Sequence, residues 1–489
     1  MVSPAGGDPT PGADAPRVRF APSPTGFLHV GSARAALFNW LYARQHHGTF
    51  VLRIEDTDTE RNREEWVDGI VSSLAWLSMV PDEGPFRQSE RTGRTSVAVD
   101  SLWAAGHLYA CDCSREEVLA RTKDNAVPGY DGHCRKRGLD RSAGALRFRT
   151  PDAGTVVVHD LIRGDITFAC ESIEDFVVVK SSGAPLFVLA NVVDDIDMAI
   201  THVIRGEDLL PSTPKGLLLW SALTDGDGSF APGAALPLFA HLPLLVNAKR
   251  QKLSKRRDTV AVESYRHDGY LADAMRNYLA LLGWSPPNGG EILSVEQLVA
   301  EFRLEDVNHS PAFFDVDKLR WMNGEYIRAL SVDDFIAAAA PFTEPPRAPW
   351  PPERFDPAVF RSVAPLVQER VSTLAEVPAM VDFLFLEAPV IDDETWASLA
   401  ADDTAAAVLA GAAEAYASCP FEAEALKAAT AAVGETVGRK LAKAQAPVRI
   451  AVTGRRVGPP LFESLAVLGR DAVLARVRAA AARLGADPV

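Results

Sequence analysis

The chain reads as an α/β protein that carries an inserted α+β segment and continues into an all-α C-terminal part. Three observations carry this reading. Val18–Phe20 is a short strand signal that passes through a Pro/Gly turn into a helical run, β-patterned segments crowd between Ala145 and Lys180, and from Tyr265 onward the apolar spacing is helical. At 489 residues the chain exceeds what one hydrophobic core serves, and length alone predicts about two to four domains. The expected order is a disordered tail at 1–16, two halves of one α/β domain at 17–94 and 191–260, and an insertion at 95–190. A helical domain at 261–340, a Pro-rich linker at 341–357 and a helical bundle at 358–489 follow.

Composition narrows the class. A formal net charge of -15 argues against indiscriminate nucleic-acid binding, although cations gather between Lys249 and Arg257 and recur at Arg449, Arg455, Arg456, Arg470, Arg476 and Arg478. No long apolar run and no basic-then-apolar leader is present, so a soluble cytoplasmic protein without a membrane partner is expected. Five cysteines make no disulfide framework.

The stretch Arg19 to Arg34 is where chemistry is expected. Pro22, Pro24 and Gly26 end the first strand, and Gly31-Ser32 opens a helix carrying Ala35, Ala36, Leu37, Trp40 and Leu41. A helix start leaves N–H groups unpaired and partly positive, which suits a phosphate or carboxylate. His29 stands before it as a hydrogen-bond donor, and Gly31 lets a flat ring approach the backbone. Thr49–Ile54 is a strand ending in Glu55-Asp56-Thr57-Asp58, an acidic cluster that would face the same crevice. Thr59 is placed to cap the next helix, whose buried stripe is Trp66, Ile70, Leu74 and Leu77. Pro81 to Arg91 reads as a loop and Ser96 to Ala105 as a helix.

Within the insertion, Cys111, Cys113 and Cys134 lie close in sequence, with Tyr130 and His133 beside them, and have the compactness of a structural zinc site. Strands are expected at 146–149, 155–159, 165–168 and 176–180, after which the main sheet resumes at Val188 to Val193 and again at Ile200 to Arg205. Ser212-Thr213-Pro214 supplies a cap and an early proline for a helix holding Leu217, Leu218, Trp220 and Leu223. Phe239 to Leu245 then leads to Lys252-Leu-Ser-Lys255-Arg256. Helices are expected at Ala274–Leu282, Val295–Glu301 and Asp315–Asn323.

Taken together, His29-Val-Gly31 and Lys252-Leu-Ser254-Lys255 resemble the two signature motifs of class I aminoacyl-tRNA synthetases, and Arg19 to Arg44 resembles the bacterial glutamyl-tRNA synthetase version. The resemblance runs from Val18 to the C-terminus and implies a Rossmann-like catalytic domain. It implies activation of L-glutamate by ATP with Mg2+ and transfer to tRNA(Glu), by a monomer. His29, Lys252 and Lys255 would be catalytic, and His29, Gly31, Lys252, Ser254 and Lys255 would hold ATP. The glutamate positions would be Arg19, Ala21, Ser23, Glu55, Phe187, Asn191 and Arg205. Charge agrees, since arginines fork onto carboxylates and Glu55 suits an ammonium. Segment 95–190 would embrace the acceptor end of tRNA and 358–489 its anticodon. For zinc, the family histidine two places after the third cysteine is Lys136 here. The shorter glutamyl-queuosine tRNA synthetase uses the tyrosine that Tyr130 matches, and His133 is a further candidate. The competing readings are a small-molecule nucleotidyltransferase or ligase of the same superfamily, a catalytically poor paralogue acting as a tRNA-binding or regulatory protein, and a non-discriminating or weakly active paralogue with different tRNA choice.

One position departs from the family pattern: Phe187 stands where a tyrosine contacts the substrate. The missing hydroxyl removes one hydrogen bond, worth about 0.5–1.5 kcal/mol. Phe187→Tyr is therefore expected to lower the glutamate KM by about two- to tenfold. Steady-state charging kinetics with an unchanged or raised KM would refute this.

Overall fold

The computed structural model describes residues 15–57, 62–124, 129–226, 229–254 and 258–486. Most of the expected tail, Asp58, Thr59, Lys255 and Arg256 lie outside the described residues. Two compact units are present. Residues up to Tyr265 with Ala272–Val316 form the first, and Arg266–Leu271 with Asp317–Val489 form the second.

The first unit begins with β1 (Arg17–Phe20), α1 (Val30–Gln45), β2 (Thr49–Ile54), α2 (Glu64–Trp76), β3 (Glu83–Arg87) and α3 (Thr92–Ala104). β4 (Leu108–Cys111), α4 (Arg115–Thr122), β5 (Ala145–Phe148), β6 (Thr155–Asp160), β7 (Gly164–Ala169) and β8 (Val177–Val179) follow. The unit continues with α5 (Phe187–Asp197), β9 (His202–Gly206), α6 (Thr213–Thr224), β10 (Leu238–Leu242) and β11 (Leu245–Val246). α7 (Val262–His267, its last two residues already in the second unit), α8 (Ala272–Ala280), α9 (Val295–Glu301) and β12 (Ala312–Phe313) complete the elements before α10.

Seven strands make one sheet in the order β3-β2-β1-β9-β10-β6-β7. All neighbours pair in parallel except β6 and β7. Every residue of β2 is buried, as expected for an interior parallel strand covered on both faces. The chain leaves β1 towards β2 and β3 on one side and later returns to β9 and β10 on the other. That reversal makes a crevice at the carboxyl ends of β1 and β9.

Several local expectations are corrected. Pro81–Arg91 is not a loop, because Glu83, Phe86 and Arg87 pair with β2 as an edge strand, where proline is tolerated. Val188–Val193 is helix, not strand: it lies within α5. A short β-branched run fits either state, and here Asn191 and Asp195, four residues apart on one helix face, both meet a buried arginine. Ser212 precedes α6 but does not cap it, since its hydroxyl donates to the Leu209 carbonyl.

The inserted segment is not one separate sheet either. β4, β5 and β8 form their own three-stranded antiparallel sheet, whereas β6 and β7 extend the large sheet through the pairing of Asp160 with Phe239. Alternation along β6 decides this: Val158 is fully buried and packs with Val51, Met198, Ile200, Val203 and Phe239.

In the second unit, α10 (Val316–Ala329, its first residue still in the first unit), α11 (Val332–Thr343), α12 (Pro357–Gln368) and α13 (Val377–Phe385) share one core. α14 (Asp393–Ala400), α15 (Ala405–Ser418), α16 (Ala423–Thr436), α17 (Leu441–Thr453), α18 (Leu461–Leu468) and α19 (Arg470–Ala486) build around another. α17 ends at Gly454, whose φ is 77° and where a Cβ would meet the Val390 carbonyl oxygen at 2.2 Å; only glycine fits. Three of the C-terminal arginines have partners within the protein. Arg476 donates to the carbonyls of Phe383, Val452 and Leu386, Arg470 to those of Tyr416, Ala417 and Cys419, and Arg455 forks onto Asp382.

The Pro-rich stretch is packed rather than a linker. α11 runs through Pro341, and Trp350 is 3% exposed, with ring centroids 5.0 Å from Phe385 and 6.0 Å from Phe355. Trp350→Ala is expected to destabilise this unit by about 3–5 kcal/mol. Denaturant unfolding followed by circular dichroism tests it, and an unchanged midpoint would contradict the packing.

Candidate active site

The crevice is a cavity of about 730 Å³ lined by strand ends and the helix start. β1 delivers Arg19 and, just past its end, Ala21 and Ser23; β2 delivers Glu55; β9 delivers Arg205; and α5 brings Phe187 and Asn191. His29, Gly31, Lys252 and Ser254 line the same cavity. The described residues expected at the site are thus brought together, and Lys255 lies outside the described residues. Asp56 is not among them. Its carboxylate accepts from the Ser89 backbone N–H and hydroxyl, 2.8 and 2.9 Å away, and so turns from the crevice.

An ion network forms the floor. Asp195 receives Arg19 Nε at 3.1 Å and Arg53 Nη1 at 2.7 Å. Arg53 is fully buried, reaches Asn191 Oδ1 at 3.2 Å and lies 3.8 Å from both Glu55 and Asp194. Asn191 Nδ2 in turn donates to Glu55 Oε1 at 2.5 Å. Asn191 is therefore a bridge between Arg53 and Glu55 here. Burial pushes the Glu55 carboxyl up to about 7, against the pull of Arg53 and Arg19. Burial also works to raise Asp195, but Arg19 and Arg53 hold it below the ordinary carboxylate range.

The second wall centres on Arg205. Its Nε donates to His241 Nε2 at 3.3 Å and its Nη2 to Thr213 Oγ1 at 2.9 Å. Burial pulls the Arg205 guanidinium down to about 10, more than Asp195 and Glu55 restore.

His29 is the N-cap of α1: its Nδ1 accepts from the Gly31 N–H at 2.9 Å. In the neutral ring that places the proton on Nε2, the atom suited to donate. A Cβ at Gly31 would lie 3.2 Å from His29 Nδ1, so the glycine serves the cap as well as the crevice. The lysine segment reaches this helix start through backbone pairing. Val30 N–H donates to Val260 O at 2.8 Å and Val262 N–H to Leu28 O at 2.9 Å. Lys252 Nζ lies 3.0 Å from Asp208 Oδ2, with both side chains more than half exposed. Arg34 donates to the carbonyls of Leu282 and Pro243 and ties α1 to the segment beyond β10.

Sequence reasoning missed Arg53, Asp195, Asp160, Thr213 and His241 as parts of this site. A signal existed for two of them: Arg53 and His241 interrupt otherwise apolar strands, and a buried polar group needs a partner. Asp160 and Asp195 carried no such mark, because their partners come from remote strands.

Away from the crevice, the sulfurs of Cys111, Cys113 and Cys134 lie within 4.8 Å of one another, and Tyr130 Oη is 3.5 Å from Cys111 Sγ. Donors around a tetrahedral zinc are separated by about 3.8 Å when each bond is about 2.3 Å, so the set fits. Arg121 and Arg137 reach the sulfurs of Cys113 and Cys134 at 3.4 and 3.3 Å. His133 is exposed and outside the cluster, as is Lys136. Among the described residues no helix is long and apolar enough to cross a membrane.

Fold and site define a class I tRNA synthetase. Residues 16–321 match the family described as tRNA synthetases class I (E and Q), catalytic domain, and residues 334–481 match an anticodon binding domain. The chain belongs to the class I tRNA synthetases (E and Q). It is 57% identical to a glutamate–tRNA ligase of Frankia alni, covering 96% of this chain and 98% of the relative. It is 55% identical to one of Salinispora arenicola, covering 96% and 99%. A crystal structure of a glutamate tRNA ligase from Elizabethkingia meningosepticum in complex with its amino acid superposes with a TM-score of 0.81 at 29% identity, covering 96% of this chain and all of that one.

Asp195→Ala would leave Arg19 and Arg53 without their shared carboxylate. Breaking a buried pair by removing one partner costs about 3–5 kcal/mol, and chemical unfolding should show that loss. A stability within experimental error of the unsubstituted protein would argue that the network contributes nothing to folding.

Proposed function

We propose that the protein is a glutamate–tRNA ligase that joins L-glutamate to tRNA(Glu) through glutamyl-adenylate. The observation that carries this is one cavity lined by both signature segments and by Arg19, Arg205 and Glu55, the kinds of charge that a dicarboxylate with an ammonium requires. In this reading the α-carboxylate of glutamate attacks the α-phosphorus of ATP, an O–P bond forms and pyrophosphate leaves. The terminal adenosine hydroxyl of tRNA then takes the glutamyl group, releasing AMP. No protein nucleophile is required, so the work is placement and stabilisation of negative charge.

His29 Nε2 and the α1 start serve the phosphates from one side and Lys252 and Ser254 from the other, with Lys255 of the same segment as the further catalytic cation that the family resemblance implies. The triphosphate is expected as its magnesium complex. Arg19 and Arg205 take the carboxylates and Glu55 takes the ammonium, with Ala21, Ser23, Phe187 and Asn191 around them. The segment 95–190 serves the acceptor end of tRNA and 358–489 the anticodon. The enzyme acts as a cytoplasmic monomer. Zinc is held by Cys111, Cys113 and Cys134 with Tyr130 as the fourth ligand, a purely structural role supported by the fit of the four donors.

Charging of total tRNA with labelled glutamate and ATP, followed by identification of the acceptors, tests the function; absence of glutamyl-tRNA would end it. The same assay should show kcat/KM for glutamate falling as pH drops below about 7, because protonated Glu55 cannot pair with an ammonium. Glu55→Gln should flatten that limb and lower the plateau by one or more orders of magnitude, roughly the loss of a charge-assisted bond. Protein purified without chelator should hold about one zinc per chain, and metal analysis finding only traces would remove the zinc proposal.

A further inference from the structure

Arg205 differs from the other substrate-facing cation in one respect. Arg19 is met inside the protein by Asp195, as Arg53 is beneath it. Among the described residues, by contrast, no carboxylate lies within ion-pair distance of Arg205. Its hydrogen-bond partners are the neutral groups His241 Nε2 and Thr213 Oγ1. We propose that Arg205 takes the side-chain carboxylate of the substrate, and that His241 and Asp160 are positioning residues that hold it through an uncharged contact, leaving its positive charge for that carboxylate and setting discrimination against the neutral amide, glutamine. This rests on the reading of Arg205 as a glutamate-binding group.

The geometry fixes the proton. An arginine N–H only donates, so His241 Nε2 is the acceptor and the ring hydrogen sits on Nδ1. Nδ1 lies 2.6 Å from Asp160 Oδ2 and donates to it. Asp160 is itself pinned: Oδ2 also accepts from the His241 backbone N–H, and Oδ1 accepts from the N–H groups of Ile162 and Arg163, each at 2.9 Å. The His241 side chain is fully buried, and Phe239 stacks on it with an interplanar angle of 2°. Thr213 Oγ1 closes the arrangement 2.9 Å from His241 Nε2. The charged groups around the ring are Asp160, Arg205 and Arg163, whose Nε reaches the His241 carbonyl. A protonated imidazole would turn a donor towards Arg205, and burial disfavours that form. A carboxylate in the place of His241 would instead neutralise Arg205 and weaken its demand for an anionic substrate.

The test compares His241→Leu, Asp160→Asn and His241→Gln in the full-length protein. The readouts are KM for glutamate, KM for ATP, kcat, inhibition of charging by L-glutamine, and melting temperature. His241→Leu removes the acceptor, and Asp160→Asn removes the group that dictates the tautomer. Both are expected to raise glutamate KM at least tenfold while ATP KM stays within threefold, and to bring glutamine inhibition closer to the glutamate KM. His241→Gln offers Arg205 an amide oxygen and should recover most of the glutamate affinity. The proposal is overturned if glutamate KM is unchanged in His241→Leu, or if glutamate and ATP KM rise together in all three variants with a lowered melting temperature. Arg205→Ala separates the levels. If it leaves glutamate KM unchanged while the unsubstituted protein charges normally, the assignment of Arg205 fails; if the unsubstituted protein makes no glutamyl-tRNA, the functional reading fails first.

Discussion

The site depends on Asp195 being shared by two buried arginines. Arg19 and Arg53 come from adjacent parallel strands and would repel each other at this depth without a common anion. Asp195 sits on α5, one turn after Asn191, so a single helix face supplies both the counter-charge and the amide that bridges Arg53 to Glu55. The neighbouring acids extend the same logic. Asp194 receives Gln88 and Arg91, and Asp197 receives Arg91 and Arg94, so α5 is tied to the segment that follows β3 by charge as well as by apolar packing. A network of this kind gains little net stability over apolar packing, yet it dictates which way each side chain faces. Orientation is what a small dicarboxylate with an ammonium requires of its pocket.

The second constraint is topological. Two segments separated by more than two hundred residues in sequence meet because β1 and β9 are neighbours across the reversal of the sheet, and because residues 260–262 pair with residues 28–30. The histidine cap uses one ring nitrogen, Nδ1, to accept from the start of the helix. Gly31 contributes twice, to the tightness of that cap and to the open backbone beside it. The extension of the sheet by β6 and β7 has a consequence for Arg205, since Asp160 closes β6 and therefore carries the edge of the inserted segment to within two side chains of the cavity.

Much of the site was legible because its chemistry is local. A strand, a Pro/Gly turn, His29 and a helix start can be read directly, and Thr49–Ile54 ending in Glu55 follows from length and apolarity. The three cysteines were legible as a cluster for the same reason, being held within a short span of chain. The failures have a common cause. Val188–Val193 was read as strand because β-branched apolar runs satisfy either period, and only the partners of Asn191 and Asp195 show that helical spacing is used. Ala348–Trp350 looked like linker because proline marks a break in regular structure, not an absence of packing. The internal pairing of Arg476 carried no mark in the sequence, because the carbonyls it reaches belong to residues far along the chain.

By itself the sequence determined the class of fold, the two signature segments and most of the side chains that line the cavity. These follow from residue type and short-range spacing, which backbone sterics and periodicity convert into structure without reference to distant parts. The tertiary structure alone decided which charges are cancelled and which remain: Arg53 and Arg19 share Asp195, whereas Arg205 leans on a neutral histidine. Pairing inside a protein is settled by proximity in three dimensions and by the cost of burying an unmatched charge, and neither quantity is written along the chain.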